Sequence, residues 1–169
     1  MKGVGTEGPV VLNADDRFRI QDLLARYNWA VDTDDADAFA TSFATDGEFV
    51  TDRRVFRGHD ELRELMAYLH DKRSRDERSL FHSIANLVVE PYGPEVRLVA
   101  QMMGPRINND GTHVMQLGWY DDRLTRTDDG WRFARRHFRH WPDHAPSSSP
   151  VPFWSQTGPP GFGSLKSST

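Results

Sequence analysis

"NADDRFRIQDLLARYNWAVD", residues 13–32, sets the fold class of this chain. Its apolar side chains recur every three or four positions, the spacing of one face of a helix, at Ile20, Leu23, Leu24, Tyr27, Ala30 and Val31. Asn13, Asp15 and Asp16 supply the oxygens and negative charges that favour a helix start. The sequence therefore predicts an amphipathic helix over about Ala14–Asp32 that ends in a carboxylate.

The segments that follow change from helical to strand periodicity. Helices are predicted over 36–44 ("ADAFATSFA") and 59–73 ("HDELRELMAYLHDKR"), with a strand at 48–52 between them. From Leu80 onward the patterns are those of long strands, at 80–90, 95–103, 112–127 and 131–141, separated by turn sequences such as "PYGPE" and "DDG". Three helices followed by such a meander predict an α+β fold in which a curved, mainly antiparallel sheet wraps around the helices.

Composition and turn residues predict one domain over residues 13–142 with a segment at each end. Residues 1–12 are Gly-rich and are predicted to be flexible, and residues 143–169 form a tail rich in Pro, Gly and Ser. Two interpretations of the tail stay open. It is disordered, or Phe153 and Trp154 fold back as a lid over a pocket.

The charge and composition of the chain exclude several classes of protein. The 169 residues carry a formal net charge of -4 with Lys and Arg spread along them, which argues against a nucleic-acid partner. There is no cysteine, so disulfides and thiolate chemistry are excluded. No apolar run resembles a signal peptide or a membrane span, and a cytoplasmic protein is expected. His137, His140, Asp143 and His144 are spaced poorly for a metal site, so neither a metal nor a cofactor is predicted.

The stretch "SLFHSIANLVVE", residues 79–90, places a histidine in what looks like a buried strand. On alternating strand geometry His82 shares a face with Ile84, Asn86 and Val88. An imidazole on an apolar face needs a partner, and Asp32 at the end of the first helix is the candidate. A carboxylate bound to one ring nitrogen fixes the tautomer and makes the other nitrogen a better base. The simpler readings, a hydrogen-bonded core histidine and an ordinary helix-terminal aspartate, also stay open.

Further residues are predicted to face the same cavity. His113 shares strand parity with Met115, Leu117 and Trp119, and Tyr27 would approach from the flank of the first helix. Arg136 either lines the pocket or solvates a strand edge. We therefore predict Asp32, His82, His113 and Tyr27 as catalytic residues, and as substrate-binding residues Asn86, Arg136, Trp119 and Met115.

Three stretches resemble one known family: "FRIQDLLARYNWAVDTDDADAFATSFATDGEF", "FHSIAN" and "GWYDDRLTRTDDGWRFARR". Over about residues 16–141 the chain is similar to the SnoaL-like branch of the nuclear transport factor 2-like superfamily. Within that branch it looks closest to the group of scytalone dehydratase, bile acid 7α-dehydratase and hexachlorocyclohexane dehydrochlorinase. The resemblance implies a cone-shaped barrel with a deep apolar pocket and a homodimer or homotrimer.

The resemblance also implies roles for particular residues. It places Asp32 and His82 at the positions of a carboxylate–histidine pair, and it matches His113, Tyr27 and Arg136 to pocket positions of individual enzymes. Two departures limit the transfer of activity. Val31 stands where scytalone dehydratase has a tyrosine, and Tyr27 stands where the dehydrochlorinase has a lysine, so neither reaction is expected intact.

The predicted function is cofactor-independent acid/base chemistry on a hydrophobic, ring-containing small molecule with a carbonyl-activated C–H bond. His82, oriented by Asp32, would remove the proton, and Tyr27 or His113 would stabilise the developing charge. Elimination by a dehydratase-type lyase, isomerisation, and ring closure as in a polyketide cyclase share this first step. The alternative is a non-catalytic binding or structural subunit, such as the β subunit of a ring-hydroxylating dioxygenase.

Overall fold

A computed structural model describes residues 10–51 and 53–141 of the chain. The predicted tail, its possible lid and most of the predicted flexible N-terminal segment lie outside the described residues. The described residues form three helices and seven strands, namely α1 (Ala14–Asp32), α2 (Ala36–Thr41), β1 (Phe43–Val50), β2 (Val55–Arg57), α3 (Gly58–Asp76), β3 (Glu77–Leu80), β4 (Ser83–Tyr92), β5 (Glu95–Asn108), β6 (His113–Thr127) and β7 (Gly130–His140).

The seven strands form one sheet. Its order is β2-β1-β7-β6-β5-β3, and β4 pairs with β5 beside β3. β1 runs parallel to β7, and the other pairs are antiparallel. The predicted α+β fold, with N-terminal helices packed in a curved and mainly antiparallel sheet, is thus confirmed.

Helix α1 has the predicted bounds because both of its ends are capped. Asn13 Oδ1 accepts the N–H of Asp16 at 2.8 Å, and the Asp16 carboxylate accepts the N–H of Asn13 at 3.3 Å, which forms a capping box. At the other end Asp34 takes a left-handed φ of 57°, and the N–H of Asp35 bonds back to the Ala30 carbonyl at 2.9 Å. The chain therefore turns sharply after α1, and Asp32 is left as the last residue of the helix.

The hydrophobic core lies between the helices and the concave face of the sheet. Aromatic rings fill its centre, with the Tyr27 ring centroid 5.4 Å from those of Phe39 and Phe133 and 6.1 Å from that of Phe43. Helix α3 packs on the core through one stripe, in which Leu62, Leu65 and Met66 are buried and Leu69 is partly buried. Burial of such side chains contributes about 2 kcal/mol each, so the helices are held by packing rather than by propensity.

The second predicted helix and the first predicted strand have different bounds in the structure. The helix stops at Thr41, and β1 begins at Phe43 instead of residue 48. The Ser42 hydroxyl donates to the Phe39 carbonyl at 2.6 Å, and the Ser42 carbonyl accepts the N–H of Phe133 at 3.0 Å. Pairing with β7 therefore overrides the local helical pattern.

The predicted single strand over 80–90 is wrong, because Phe81 and His82 interrupt it. The two halves, β3 and β4, pair separately with β5 through Leu80 opposite Arg106 and Ser83 opposite Met103. The residues of β5 that face the interruption include Pro105, which has no N–H to donate to a neighbouring strand. His82 lies between the two strands, so its N–H is not part of the β ladder.

No helix in the described part of the chain is both long and apolar enough to cross a membrane.

Candidate active site

A cavity of about 480 Å³ opens between the helices and the concave face of the sheet. This volume lies within the range of small-molecule sites. Its wall is largely apolar and includes Val31, Phe39, Phe49, Leu65, Leu69 and Met102. His82 lines the same cavity, so the helix end that carries Asp32 and the interruption between β3 and β4 meet at its edge.

The structure brings Asp32 and His82 into direct contact. His82 Nδ1 lies 2.6 Å from Asp32 Oδ1, and the backbone N–H of His82 donates to both carboxylate oxygens at 3.1 and 3.0 Å. The two side chains are only 16% and 13% exposed, respectively. This partly desolvated contact holds the imidazole at one edge of the cavity. The catalytic roles of both residues stay a prediction.

The geometry of the pair dictates the tautomer of the histidine. An ionised carboxylate is an acceptor only, so in the neutral imidazole Nδ1 carries the hydrogen and Nε2 keeps its lone pair. Nε2 makes no hydrogen bond to the described residues. A ring nitrogen of this kind is able to take a proton from a bound molecule and return it later.

Two tyrosines line the interior of the cavity. Tyr27 and Tyr120 are each 3% exposed, and their ring centroids lie 6.4 Å apart. Burial raises the pKa of Tyr27 well above its usual value, and it also raises the pKa of Tyr120 although the positive charge of Arg136 opposes the shift. Both phenols are therefore protonated at neutral pH, and a hydrogen bond links the two side chains. Tyr27 was predicted from the sequence, whereas Tyr120 was missed.

Arg136 does not line the cavity, contrary to the prediction that it binds substrate. It is fully buried behind the tyrosines, with its guanidinium carbon 3.5 Å from the Tyr120 ring centroid and 4.0 Å from that of Tyr27. Its Nη1 lies 3.7 Å from Oδ2 of Asp122, which is also fully buried. The side chain stacks on the rings from outside the cavity, so its contribution is packing and charge rather than ligand contact.

The buried carboxyl group of Asp122 predicts a specific pH dependence of stability. Burial raises its pKa to about 7, and the Arg136 charge opposes this shift without cancelling it. Because the folded state then binds a proton that the unfolded chain has already released, the free energy of unfolding falls as pH rises from 5 to 7, by about 2 kcal/mol for this group.

The Asp122→Asn variant lacks this titration. Thermal unfolding of wild type and variant at pH 5, 6 and 7 should show the wild-type Tm falling relative to the variant as pH rises. Parallel Tm curves would contradict the assignment. Asp121→Asn, at a neighbouring carboxylate that is ion-paired with Arg97 and partly exposed, should not show this relative change.

His113, Met115 and Trp119 do not line this cavity, and their predicted contact with substrate stays a prediction. They belong to the opposite face of β6, where His113 and Met115 are exposed. The cavity side of β6 is formed by the even-numbered residues Val114, Gln116 and Tyr120. Both faces of this strand carry apolar side chains, so alternation alone could not identify the inner one.

Asn86 also lies outside the cavity. It has a positive φ of 53° at an irregularity of β4, where the register against β5 shifts between Ala85 and Val88. Its side chain is exposed and donates to Gln101 at 2.5 Å. A β-bulge breaks the alternation on which the predicted shared face with His82 depended.

The cavity is lined by several polar residues that sequence reasoning missed. Lys72 and Arg73 come from the last turns of α3, Arg106 from β5 and His140 from the end of β7. A signal for Lys72 and Arg73 was present, since both follow Leu69 at the end of the buried stripe of α3. Arg106 could not be found, because the sequence did not predict that β5 continues past Met103.

Among residues 10–51 and 53–141, no three His, Asp or Glu side chains are grouped as metal ligands would be.

Comparison with known proteins places the chain among proteins of one fold. The profile of the SnoaL-like domain family matches residues 13–137. No curated protein sequence matches the chain.

Three solved structures illustrate the likeness. A Novosphingobium aromaticivorans protein with the provisional name aromatic ring hydroxylase is 28% identical, with a TM-score of 0.69 and coverage of 79% of this chain and 94% of that chain. Rv3472 of Mycobacterium tuberculosis, a protein of unknown function, is 30% identical, with a TM-score of 0.68 and coverage of 81% and 78%. The hexachlorocyclohexane dehydrochlorinase LinA-type3 of Novosphingobium barchaimii is 19% identical, with a TM-score of 0.65 and coverage of 75% and 86%. At that identity the last comparison shows the shared fold alone.

Proposed function

Because the chain belongs to the SnoaL-like domain family, whose profile covers most of it, we propose that it is a cofactor-independent acid/base enzyme acting on a hydrophobic, ring-containing molecule. Its substrate carries a C–H bond activated by a neighbouring carbonyl. The reaction is a dehydratase-type elimination, with isomerisation and cyclisation as variants of the same proton transfer.

The first step uses His82, its partner Asp32 and the two tyrosines. His82 Nε2 removes the proton next to the carbonyl, and the electrons of the broken C–H bond move to the carbonyl oxygen. Asp32 holds the imidazole and stabilises the positive charge that it gains. An O–H of Tyr27 or Tyr120 donates to the enolate oxygen, where negative charge develops.

The second step completes the elimination. The enolate re-forms the carbonyl and expels the hydroxyl group at the next carbon, and this group takes the proton from His82 and leaves as water. If no leaving group is present, return of the proton at a different carbon gives an isomer. Each positioned acid or base contributes about 10²- to 10⁴-fold, so these groups are sufficient.

The proposal depends on one observation, the 2.6 Å contact of His82 Nδ1 with Asp32 at the edge of a largely apolar cavity. The other ring nitrogen has no protein partner among the described residues, and His82 lines the cavity, which supports a role as a base. The competing function is a non-catalytic subunit of a ring-hydroxylating enzyme. The provisional name of the 28% identical protein, aromatic ring hydroxylase, is consistent with this alternative. Such a subunit needs a stable barrel but no base in its cavity.

Deuterium exchange separates these functions without knowledge of the natural substrate. α-Tetralone, a two-ring ketone, is incubated in D₂O with the protein, and loss of the proton signal next to the carbonyl is followed by NMR. Wild type should accelerate the exchange, because removal of this proton is the step that all the proposed reactions share. Exchange at the buffer rate across α-tetralone, β-tetralone and 1-decalone would favour the subunit.

A further inference from the structure

Arg73 links the ends of two helices at the wall of the cavity. We propose that it is a positioning residue, whose guanidinium holds the end of α1 in place so that Asp32 meets His82. The inference rests on the proposed function in one respect, because it takes Asp32 and His82 to be the reacting pair. It adds a residue that acts on this pair from outside it.

Arg73 comes from the inner side of α3. It follows Leu69 by one helical turn, so it continues the apolar stripe near the point where the helix ends. Its side chain is only 14% exposed. A charged group that is this far from water needs polar or oppositely charged partners, and these partners indicate what the side chain does.

One partner of Arg73 is the last turn of α1. Its Nη1 donates to the carbonyl of Val31 at 2.9 Å, and Val31 directly precedes Asp32. The final carbonyls of a helix have no N–H partner within the helix and carry partial negative charge. The last turn of α1 contains no basic residue of its own. Arg73 therefore supplies, from a neighbouring helix, the positive charge that stabilises such an end.

The second partner lies on the other side of Asp32. Arg73 forms an ion pair through Nη2 with Asp34, which has a left-handed φ of 57° in the turn after α1. Asp34 also contacts His70 at 2.9 Å, but the His70 side chain is 60% exposed, so that contact contributes little. One guanidinium is thus bound to the residue before Asp32 and to the second residue after it.

These two contacts fix the backbone direction at Asp32. Its carboxylate must reach both the backbone N–H of His82, at 3.1 and 3.0 Å, and Nδ1 of the same residue, at 2.6 Å. A small rotation of the end of α1 would lengthen these bonds. Because a misplacement of about 1 Å can lower a rate about 10²-fold, loss of Arg73 should slow proton removal while the apolar wall still binds a ring.

The kinetic test measures α-tetralone exchange by the full chain as a function of ketone concentration. Arg73→Gln should lower kcat about 10- to 100-fold and change KM by less than about twofold. Arg73→Lys keeps the charge but lacks the planar fork that binds two partners, so it should restore part of kcat. Asp34→Asn removes the same ion pair from the side of α1, and asparagine tolerates the left-handed φ. It should act in the same direction as Arg73→Gln.

Arg63→Gln is the matched control. Arg63 also joins α3 to another helix, since its Nε donates to Asp37 of α2 at 2.7 Å, but it does not line the cavity. The same substitution there should leave kcat within about twofold of wild type. In an Asp32→Asn background, Arg73→Gln should also change kcat by less than about twofold, because its effect passes through Asp32.

The tautomer of His82 gives a readout that does not depend on catalysis. ¹⁵N NMR of the ring nitrogens, at a pH where the imidazole is neutral, should show wild type with its hydrogen on Nδ1. In Arg73→Gln part of the population should carry the hydrogen on Nε2, because the carboxylate no longer holds Nδ1–H. Arg63→Gln should keep the wild-type pattern.

Three results would overturn the inference: an unchanged His82 tautomer in Arg73→Gln, a rise of KM at unchanged kcat, and equal losses in Arg63→Gln. The second result would mean that Arg73 contacts the ligand instead. Failure of the proposed function gives a different result, in which wild type exchanges α-tetralone at the buffer rate. The tautomer measurement would then still decide whether Arg73 positions the pair.

Discussion

The His82→Gln variant is expected to catalyse deuterium exchange into α-tetralone about 10³-fold more slowly than wild type. Glutamine retains a polar side chain of similar length, and its backbone N–H still donates to Asp32. It has no nitrogen that takes up a proton near neutral pH, so the first chemical step is lost. Because His82 lies between β3 and β4 rather than within the sheet, the free energy of unfolding should change by no more than about 1 kcal/mol.

The matched control for this variant is His70→Gln. His70 also contacts an aspartate through Nδ1, at 2.9 Å from Asp34 Oδ2, but it is exposed and does not line the cavity. The same substitution there should leave the exchange rate within about twofold of wild type. If His82→Gln keeps a near wild-type rate while thermal melts show both variants folded, His82 is not the base.

The second large effect is expected for Asp32→Asn, which should slow the exchange about 10²- to 10³-fold. The amide of asparagine is able to donate to Nδ1, which favours the tautomer with its hydrogen on Nε2 and leaves no lone pair facing the cavity. Asp32 acts through His82 as a positioning residue. The double variant Asp32→Asn/His82→Gln should therefore be no slower than His82→Gln alone.

Stability should respond to Asp32→Asn in a different way from activity. Asp32 is the last residue of α1, where the helix dipole disfavours a negative charge and where no basic side chain lies in the last turn. Removal of this charge offsets the loss of a charged hydrogen bond, so Tm should stay close to that of wild type. Asp35→Asn is the control, because Asp35 caps α2 and asparagine caps a helix equally well. A fall of Tm that accounts for the lost rate would contradict the functional role of Asp32.

Local signals in the sequence were sufficient for the existence of three helices and for the change to long strands that follows them. The bounds of α1 followed from the recurrence of Ile20, Leu23, Leu24 and Tyr27 and from capping at Asn13, all within a short segment. The partners Asp32 and His82 could also be proposed, because an imidazole and a carboxylate in otherwise apolar surroundings each need a counterpart. These arguments use neighbours along the chain or simple charge complementarity.

The features that sequence reasoning missed depend on distant strands. The interruption at His82 lies opposite Pro105 of β5. The residues near His82 in the chain give no signal of which part of β5 lies opposite. The inward face of β6 was assigned wrongly because Met115 and Leu117, although exposed, are as apolar as the buried residues on the other side. The burial of Arg136 beside Asp122 was missed as well, because it depends on the register of β6 against β7.

The interruption between β3 and β4 is a position where this fold could tolerate a change in length. Each flanking segment is aligned independently, Leu80 against Arg106 and Ser83 against Met103, so a residue could be inserted or deleted between them without shifting the remaining sheet. Such a change would move the imidazole relative to the opening while the barrel keeps its shape. Changes in the length of this connection could therefore adapt the same fold to ligands of different size.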